Sequence, residues 1–264
     1  LQNHQHRNKI NFNTHIENII SKTTRIKNTL FNFCKNTYGI NTRKRQNLYK
    51  GLIRPVLTYG SEIWINHITK KQIQKLESTQ HQILRHSIMG YKTISKACTT
   101  LLTRIEPIHT NIQIKQTKFL YRQNIPQECL NHITIEQFID TTKQNIFAQS
   151  HEKTNDTFKH FFPSPYIPKF IKPNFILTQF YTGHGNFQKY LNRFQLSQTD
   201  CCTCSNTTQD VTHLLLHCTN YIQIKHHLQL HNINSLHQFT QNKEIHKKFI
   251  ELCKHIHTHI KAIL

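Results

Sequence analysis

Carboxylates are scarce in this chain. Asp140, Asp156, Asp200 and Asp210 are its four aspartates, no two of them adjacent and none within the first 139 residues. Two-metal phosphoryl or nucleotidyl transfer needs convergent carboxylates to hold its ions, so these residues supply no set for polymerase or ribonuclease H chemistry. Long apolar runs are also missing: none approaches the roughly 20 residues that a membrane helix needs. The opening Leu1-Gln2-Asn3-His4-Gln5-His6 has no apolar stretch of the kind a signal peptide carries. Methionine does not stand at position 1, which sets the expectation of a fragment whose start lies upstream.

Against 13 Asp+Glu stand 34 Lys+Arg, for a formal charge of +21, with 21 His beside them. Such an excess favours polyanionic partners, nucleic acid foremost. Codon drift is the alternative source. Asp, Glu, Gly, Ala and Val, all encoded by codons starting with G, together number only 24, so a G-poor coding strand would deplete acids without selection for binding. The charge is physically real either way and predicts salt-dependent adhesion to nucleic acid. With 36% hydrophobic and 10% aromatic residues the chain is too apolar for a disordered tail.

Periodicity predicts an all-α fold. Ile16, Ile19, Ile20, Leu30 and Phe31 have helical spacing over 13–34, with Thr14 and Glu17 spaced as a capping box. A second helix is expected over 42–59, kinked at Pro55 and ended at Gly60. A third covers 69–89, with Ile73, Leu76, Ile83, Leu84 and Ile88 inward, and shorter ones cover 94–103 and 107–122. Pro163, Pro165, Pro168 and Pro173 then crowd 149–173, which reads as an extended linker. Short helices are expected near 175–180 and around Phe187, Tyr190, Leu191 and Phe194, then over 211–230 and 242–264. The expected organisation is a helical bundle over 1–125, a linker with a short helix over 126–174, and a small helical zinc-binding module over 175–264.

Four of the eight cysteines and histidines nearby carry the chemistry. Cys201 and Cys204 form a C-x2-C pair, followed by His213 after eight residues and Cys218 after four more. Two thiolates on a tight turn can grip one face of a tetrahedral Zn²⁺ while His213 and Cys218 approach from the other. The polar, turn-rich 205–210 suits a loop around a metal. One structural zinc would stabilise a module with little core of its own. Cys202 can stand in for Cys201, and His217 can compete with Cys218. Cys34, Cys98, Cys129 and Cys253 occur singly at apolar positions and read as buried thiols. His255, His257 and His259 alternate, which on a helix turns successive ones apart, so adventitious metal binding is expected there rather than a site.

Two stretches resemble a known family. Tyr49, Ile53-Arg54-Pro55, Tyr59-Gly60 and Trp64 match the helix after the palm in non-LTR retrotransposon reverse transcriptases of the jockey and related insect-type groups, and Leu76-Glu77 to Leu84-Arg85 continues the match. Asn11-Phe12-Asn13-Thr14-His15-Ile16 resembles the segment after that palm. Thr182-Gly183-His184-Gly185-Asn186-Phe187, Tyr190-Leu191 and the C-x2-C-x8-H-x4-C set are similar to the tail of such polyproteins.

The resemblance implies a thumb-like region over about 10–122 and a zinc-bearing tail, part of an RNA-directed DNA polymerase whose catalytic Tyr-Ala-Asp-Asp turn lies upstream. No catalytic residue carries over, and this stretch alone is expected to be inactive. It implies RNA and DNA as partners, together with the palm and fingers of the same polyprotein, and an intracellular setting, nuclear where the parent element is active. No membrane partner is expected.

Arg43, Lys44, Arg45, Lys50, Lys70, Lys71, Lys75 and Arg85 are the candidate phosphate contacts of the helical region. Lys189, Arg193 and Lys225 are those of the zinc module. For any single one, a solvated helix face is the competing reading, and Trp64 and Tyr59 read as core rather than base-stacking groups. A structural zinc clasp, or a relic sequence, with no nucleic-acid role of its own is the alternative for the whole module. The two glycines of 182–185, without a Lys-Ser/Thr pair, read as a tight turn rather than a phosphate loop.

Overall fold

The computed structural model describes residues 12–33, 40–130 and 133–263. Cys34 and Asn11 lie outside these, as does any description of the Cys129 side chain. Helices α1 (Asn13–Phe33) and α2 (Thr42–Leu48) come first, and a π turn (Tyr49–Ile53) leads into α3 (Arg54–Leu57). Then follow α4 (Ser61–Trp64), α5 (Lys70–Ser87), α6 (Lys96–Thr103), α7 (Ile108–Arg122), α8 (Ile135–Glu152) and α9 (Asp156–Phe161). Next are α10 (Phe175–Thr182), α11 (Gln188–Arg193) and the strands β1 (Cys201–Cys202) and β2 (Ser205–Thr208). A second π turn (His213–His217), α12 (Ile222–His227), α13 (Gln238–Gln241) and α14 (Lys243–Ile263) complete the chain. The fold is mostly helical, as its periodicity predicts. Among the described residues no helix is long and apolar enough to cross a membrane.

Contacts divide the described residues into two compact units, the first drawn from those up to Ile40, from Asn47–Ile83 and from Glu106–Gln144, the second from Asn41–Gln46, Leu84–Ile105 and those from Asn145 onward. In the first, Ile16 and Ile19 of α1 lie one turn apart and are buried, as are Tyr49, Ile53 and Leu57. Pro55 cannot donate a backbone hydrogen bond to the carbonyl four residues earlier. The helix accommodates it through the π turn, in which the Arg54 N–H reaches the Tyr49 carbonyl five residues back. So the expected kink is realised as a π insertion. Gly60, at φ 61°, ends the run in the left-handed region that favours glycine.

Trp64 is buried and donates its indole N–H to the Tyr59 carbonyl at 2.9 Å, whereas Tyr59 itself is 73% exposed. The core reading therefore holds for Trp64 and not for Tyr59. Gln80 of α5 is the buried polar hub of this unit. Its amide donates to Tyr49 Oη and to the Glu106 carbonyl, both at 2.9 Å, and its oxygen accepts from the Ile108 N–H at 2.7 Å. Pro107 supplies no side-chain cap to α7, so Gln80 satisfies one of that helix's orphan donors from outside.

In the second unit Phe249, Leu252, Cys253, Ile256 and Ile260 of α14 are buried at helical spacing. They share a core with Phe158, Phe161, Phe162, Tyr181 and Phe239. The Phe239 and Phe249 rings stack at 4.8 Å, and Phe161 meets Tyr181 edge-on at 5.2 Å.

The Pro-rich stretch expected as a linker is packed into this core: Ile167 and Ile171 are buried. Its backbone carbonyls need donors once removed from water, and Arg104 supplies them, reaching the carbonyls of Ile167, Pro168 and Ile171 at 3.2, 2.6 and 3.2 Å.

A candidate metal centre

Strands β1 and β2 pair antiparallel, with Cys202 opposite Ser205 and Cys201 opposite Thr208. The register shifts between Cys201 and Cys202, a bulge of the kind that re-aims side chains, and only one of the two adjacent thiols faces inward. Cys202 does, at 4% exposure, while Cys201 is half-buried with its thiol 3.7 Å from an Asp200 carboxylate oxygen. The tight connection between the strands then carries Cys204.

The opposing pair comes from the second π turn. In an α-helix five residues sweep about 140° beyond one full turn. Here the Cys218 N–H donates to the His213 carbonyl at 2.7 Å, an i to i+5 closure that brings residues 213 and 218 back to one side. Asp210 anchors the start of this turn, accepting from the His213 N–H at 2.9 Å.

Cys202, Cys204, His213 and Cys218 converge, their ligand atoms all within 4.8 Å of one another. The Cys202 and Cys218 sulfurs are 3.7 Å apart, and the Cys204 sulfur is 3.1 Å from His213 Nε2. Tetrahedral zinc–thiolate bonds of about 2.3 Å put two sulfurs about 3.8 Å apart, whereas a disulfide needs about 2.05 Å. The thiols are free, and the spacing matches a metal cage.

The other imidazole nitrogen, Nδ1, lies 3.3 Å from Thr207 Oγ1. This outer contact orients the ring so that Nε2 faces the sulfurs. Gln209 Nε2 donates towards the Cys202 sulfur at 3.7 Å.

Burial pushes the Cys218 thiol up to about 12, with the Cys204 and Cys202 sulfurs adding to the rise. Burial and the same three sulfurs also raise the Tyr221 hydroxyl. A bound cation reverses that penalty, because a coordinating thiol is deprotonated outright.

The structure thus gathers three of the four residues named from spacing, Cys204, His213 and Cys218. At the fourth place it puts Cys202, the alternative the sequence offered, and leaves Cys201 outside the set; His217 is not among the converging groups. Thr207, Gln209 and Tyr221 escaped sequence reasoning. The β-prone Thr207-Thr208 was the available signal: it lies in the second strand of a hairpin whose register shifts between the two adjacent cysteines.

The candidate phosphate contacts differ in their surroundings. Arg43, Lys44, Lys50, Lys70, Lys71 and Lys75 are exposed. Arg45 is buried and reaches the His86 carbonyl at 3.4 Å. Half-buried Arg85 donates to the Lys92 carbonyl at 3.2 Å. Lys189 pairs with Asp210 at 3.0 Å, and Arg193 is exposed with its guanidinium over the Phe194 ring at 5.8 Å. Lys225 is buried and donates to the Leu216 carbonyl at 3.1 Å. Of the alternating histidines, His257 packs edge-on against Phe175, whereas His255 and His259, four residues apart, both meet the Tyr221 ring, and His259 Nδ1 bonds its hydroxyl.

Comparison with known proteins finds homologues among the Pol polyproteins of R1 non-LTR retrotransposons. The chain is 24% identical over 241 residues to the putative 115 kDa protein in type-1 retrotransposable element R1DM of Drosophila melanogaster, covering 81% of this chain and 23% of that protein. It is 22% identical over 207 residues to a retrovirus-related Pol polyprotein from an R1 element of Nasonia vitripennis (72% and 52%). To the corresponding R1 polyprotein of Bradysia coprophila it is 23% identical over 234 residues (82% and 23%). The chain therefore spans from about a quarter to about half the length of these relatives and corresponds to a partial region of them. No family model matches it, and no solved structure does.

Proposed function

We propose that this chain is the non-catalytic region of a retrotransposon reverse transcriptase that binds the element's RNA or its target DNA. In this reading a basic helical region corresponds to a polymerase thumb. Beyond it, one structural zinc held by Cys202, Cys204, His213 and Cys218 fastens the module that follows. The observation that carries the reading is the Cys3His convergence in a chain whose homologues are retrotransposon Pol polyproteins. Zinc supplies folding energy in such a site. The protein's own part is to present three sulfurs and one imidazole in a cage whose His213 ring is oriented by Thr207. The charge of +21 supplies the sequence-independent attraction to phosphate.

The zinc cage as a purely structural clasp is the second reading, and two observations favour it: Lys225 is buried against the Leu216 carbonyl, and Lys189 is already paired with Asp210. Fluorescence anisotropy with RNA and DNA oligonucleotides across a salt series separates the two. Nucleic-acid binding predicts that the logarithm of affinity falls linearly with the logarithm of salt, and that Lys189→Glu with Arg193→Glu weakens binding while zinc content and helicity are kept. Unchanged affinity in that folded double variant supports the clasp.

A further inference from the structure

The turn at Gly183–Gly185 and α11 form a second site, beside the metal module and outside its ligand set. Gly183 stands at φ 68° as the cap of α10, a conformation that L side chains rarely adopt, and it turns the chain so that His184 and Tyr190 meet. The His184 and Tyr190 rings lie 5.2 Å apart, and Tyr190 and Phe194 lie 5.0 Å apart. The Thr93 hydroxyl bonds both Tyr190 Oη and His184 Nδ1, which holds the first two rings in place.

Burial and the nearby Arg193 charge lower the affinity of His184 for protons, so this ring adds aromatic surface rather than charge at neutral pH. The ladder ends at Phe194, which is 44% exposed and carries the Arg193 guanidinium over its face. Lys189, Arg193, His184 and Tyr190 also line a cleft of about 180 Å³ with Asp210, whose carboxylate is taken up by Lys189.

We infer that this aromatic cluster and its cations bind an unpaired stretch of single-stranded nucleic acid, one base taking the Phe194 face that Arg193 covers and Arg193 shifting to the adjoining phosphate. The inference deepens the nucleic-acid reading above and rests on it. An exposed ring beside an arginine, here Phe194 and Arg193, offers what single-strand sites use, because every base has a π face and every nucleotide a phosphate. A duplex keeps its bases stacked inside, so the ladder has nothing to offer it beyond charge.

The test is anisotropy of the zinc-loaded 264-residue chain with a fluorescein-labelled single-stranded RNA 12-mer, the DNA strand of the same sequence, and the corresponding duplexes. Phe194→Ala is expected to weaken single-strand binding about tenfold while leaving duplex affinity, zinc content and helicity unchanged. Phe194→Trp is expected to restore the single-strand affinity. The RNA and DNA arms show which strand the site takes. Equal loss on single strands and duplexes, or no loss on single strands, overturns the inference. A wild-type chain that binds no nucleic acid removes the underlying reading as well. Binding that responds to Arg193→Glu but not to Phe194→Ala removes only the stacking site.

Discussion

The sulfur of Cys202 lies 3.7 Å from that of Cys218, sixteen residues further along the chain, while the adjacent Cys201 turns towards Asp200. Two local devices produce this pairing. The register shift between Cys201 and Cys202 sets the two adjacent thiols apart, and the i to i+5 closure between His213 and Cys218 supplies the opposite side of the cage.

Thr207 is the group that tunes the centre without being a ligand. Its hydroxyl bonds His213 Nδ1, and outer partners of this kind typically contribute 10- to 100-fold in metal affinity. Thr207→Val is therefore expected to weaken zinc binding about tenfold in competition with a chelator. Unchanged affinity contradicts the orienting role.

Gln80 carries three hydrogen bonds inside the first unit, to Tyr49, Glu106 and Ile108. Gln80→Leu leaves these groups without that partner in a buried setting, each costing about 1–3 kcal/mol. A loss of about 3 kcal/mol or more is expected in urea unfolding. A loss below about 1 kcal/mol would show that other groups or water replace the amide.

Acid sensitivity should centre on histidine. His86 is half-buried beside Arg45 and Arg85, and its pKa is lowered from 6.5 to about 4, by burial first and then by the two cations. Between about pH 6.5 and pH 4 the unfolded chain holds more protons on this residue than the folded chain does. Stability therefore rises with pH across that window and is lost as pH falls through it. His184, His246 and His257, also lowered chiefly by burial, act in the same direction. Denaturation midpoints from pH 7.5 to pH 4 should show a shallower fall for His86→Gln than for the wild type. Parallel curves contradict the assignment to His86.

Gln195 adopts φ 57° at an exposed position just after α11. A side chain in the left-handed region costs roughly 1 kcal/mol relative to glycine. Gln195→Gly is accordingly expected to raise the thermal midpoint slightly, with a lowered midpoint as the contrary result.

Much of the helical architecture is legible in the sequence because its helices carry apolar residues at turn spacing. Leu76, Ile83 and Leu84 of α5 are all buried, as that spacing predicts. Helix α8 is harder to see: Ile135, Phe138, Ile139, Ile146 and Phe147 keep helical spacing, but Thr, Gln, Lys and Asn dilute them. The stretch around Pro163–Pro173 misleads for a different reason. Its prolines do signal irregular backbone, yet burial of Ile167 and Ile171 depends on distant Arg104 bonding three carbonyls, which no local pattern reveals.

At the candidate site, the cysteine and histidine types and three of the four converging positions are legible from spacing. The choice between Cys201 and Cys202 is not, because strands of two and four residues are too short for a periodic signal. Burial likewise separates Lys225 from exposed lysines that look the same in sequence.

Metal content measured by inductively coupled plasma mass spectrometry on the wild type, Cys201→Ser and Cys202→Ser tests the proposed zinc centre most directly. One zinc per chain is expected in the wild type and in Cys201→Ser, with the metal lost or stripped by a mild chelator in Cys202→Ser. A wild type that folds without zinc, or a Cys201→Ser variant that loses it while Cys202→Ser keeps it, contradicts the account.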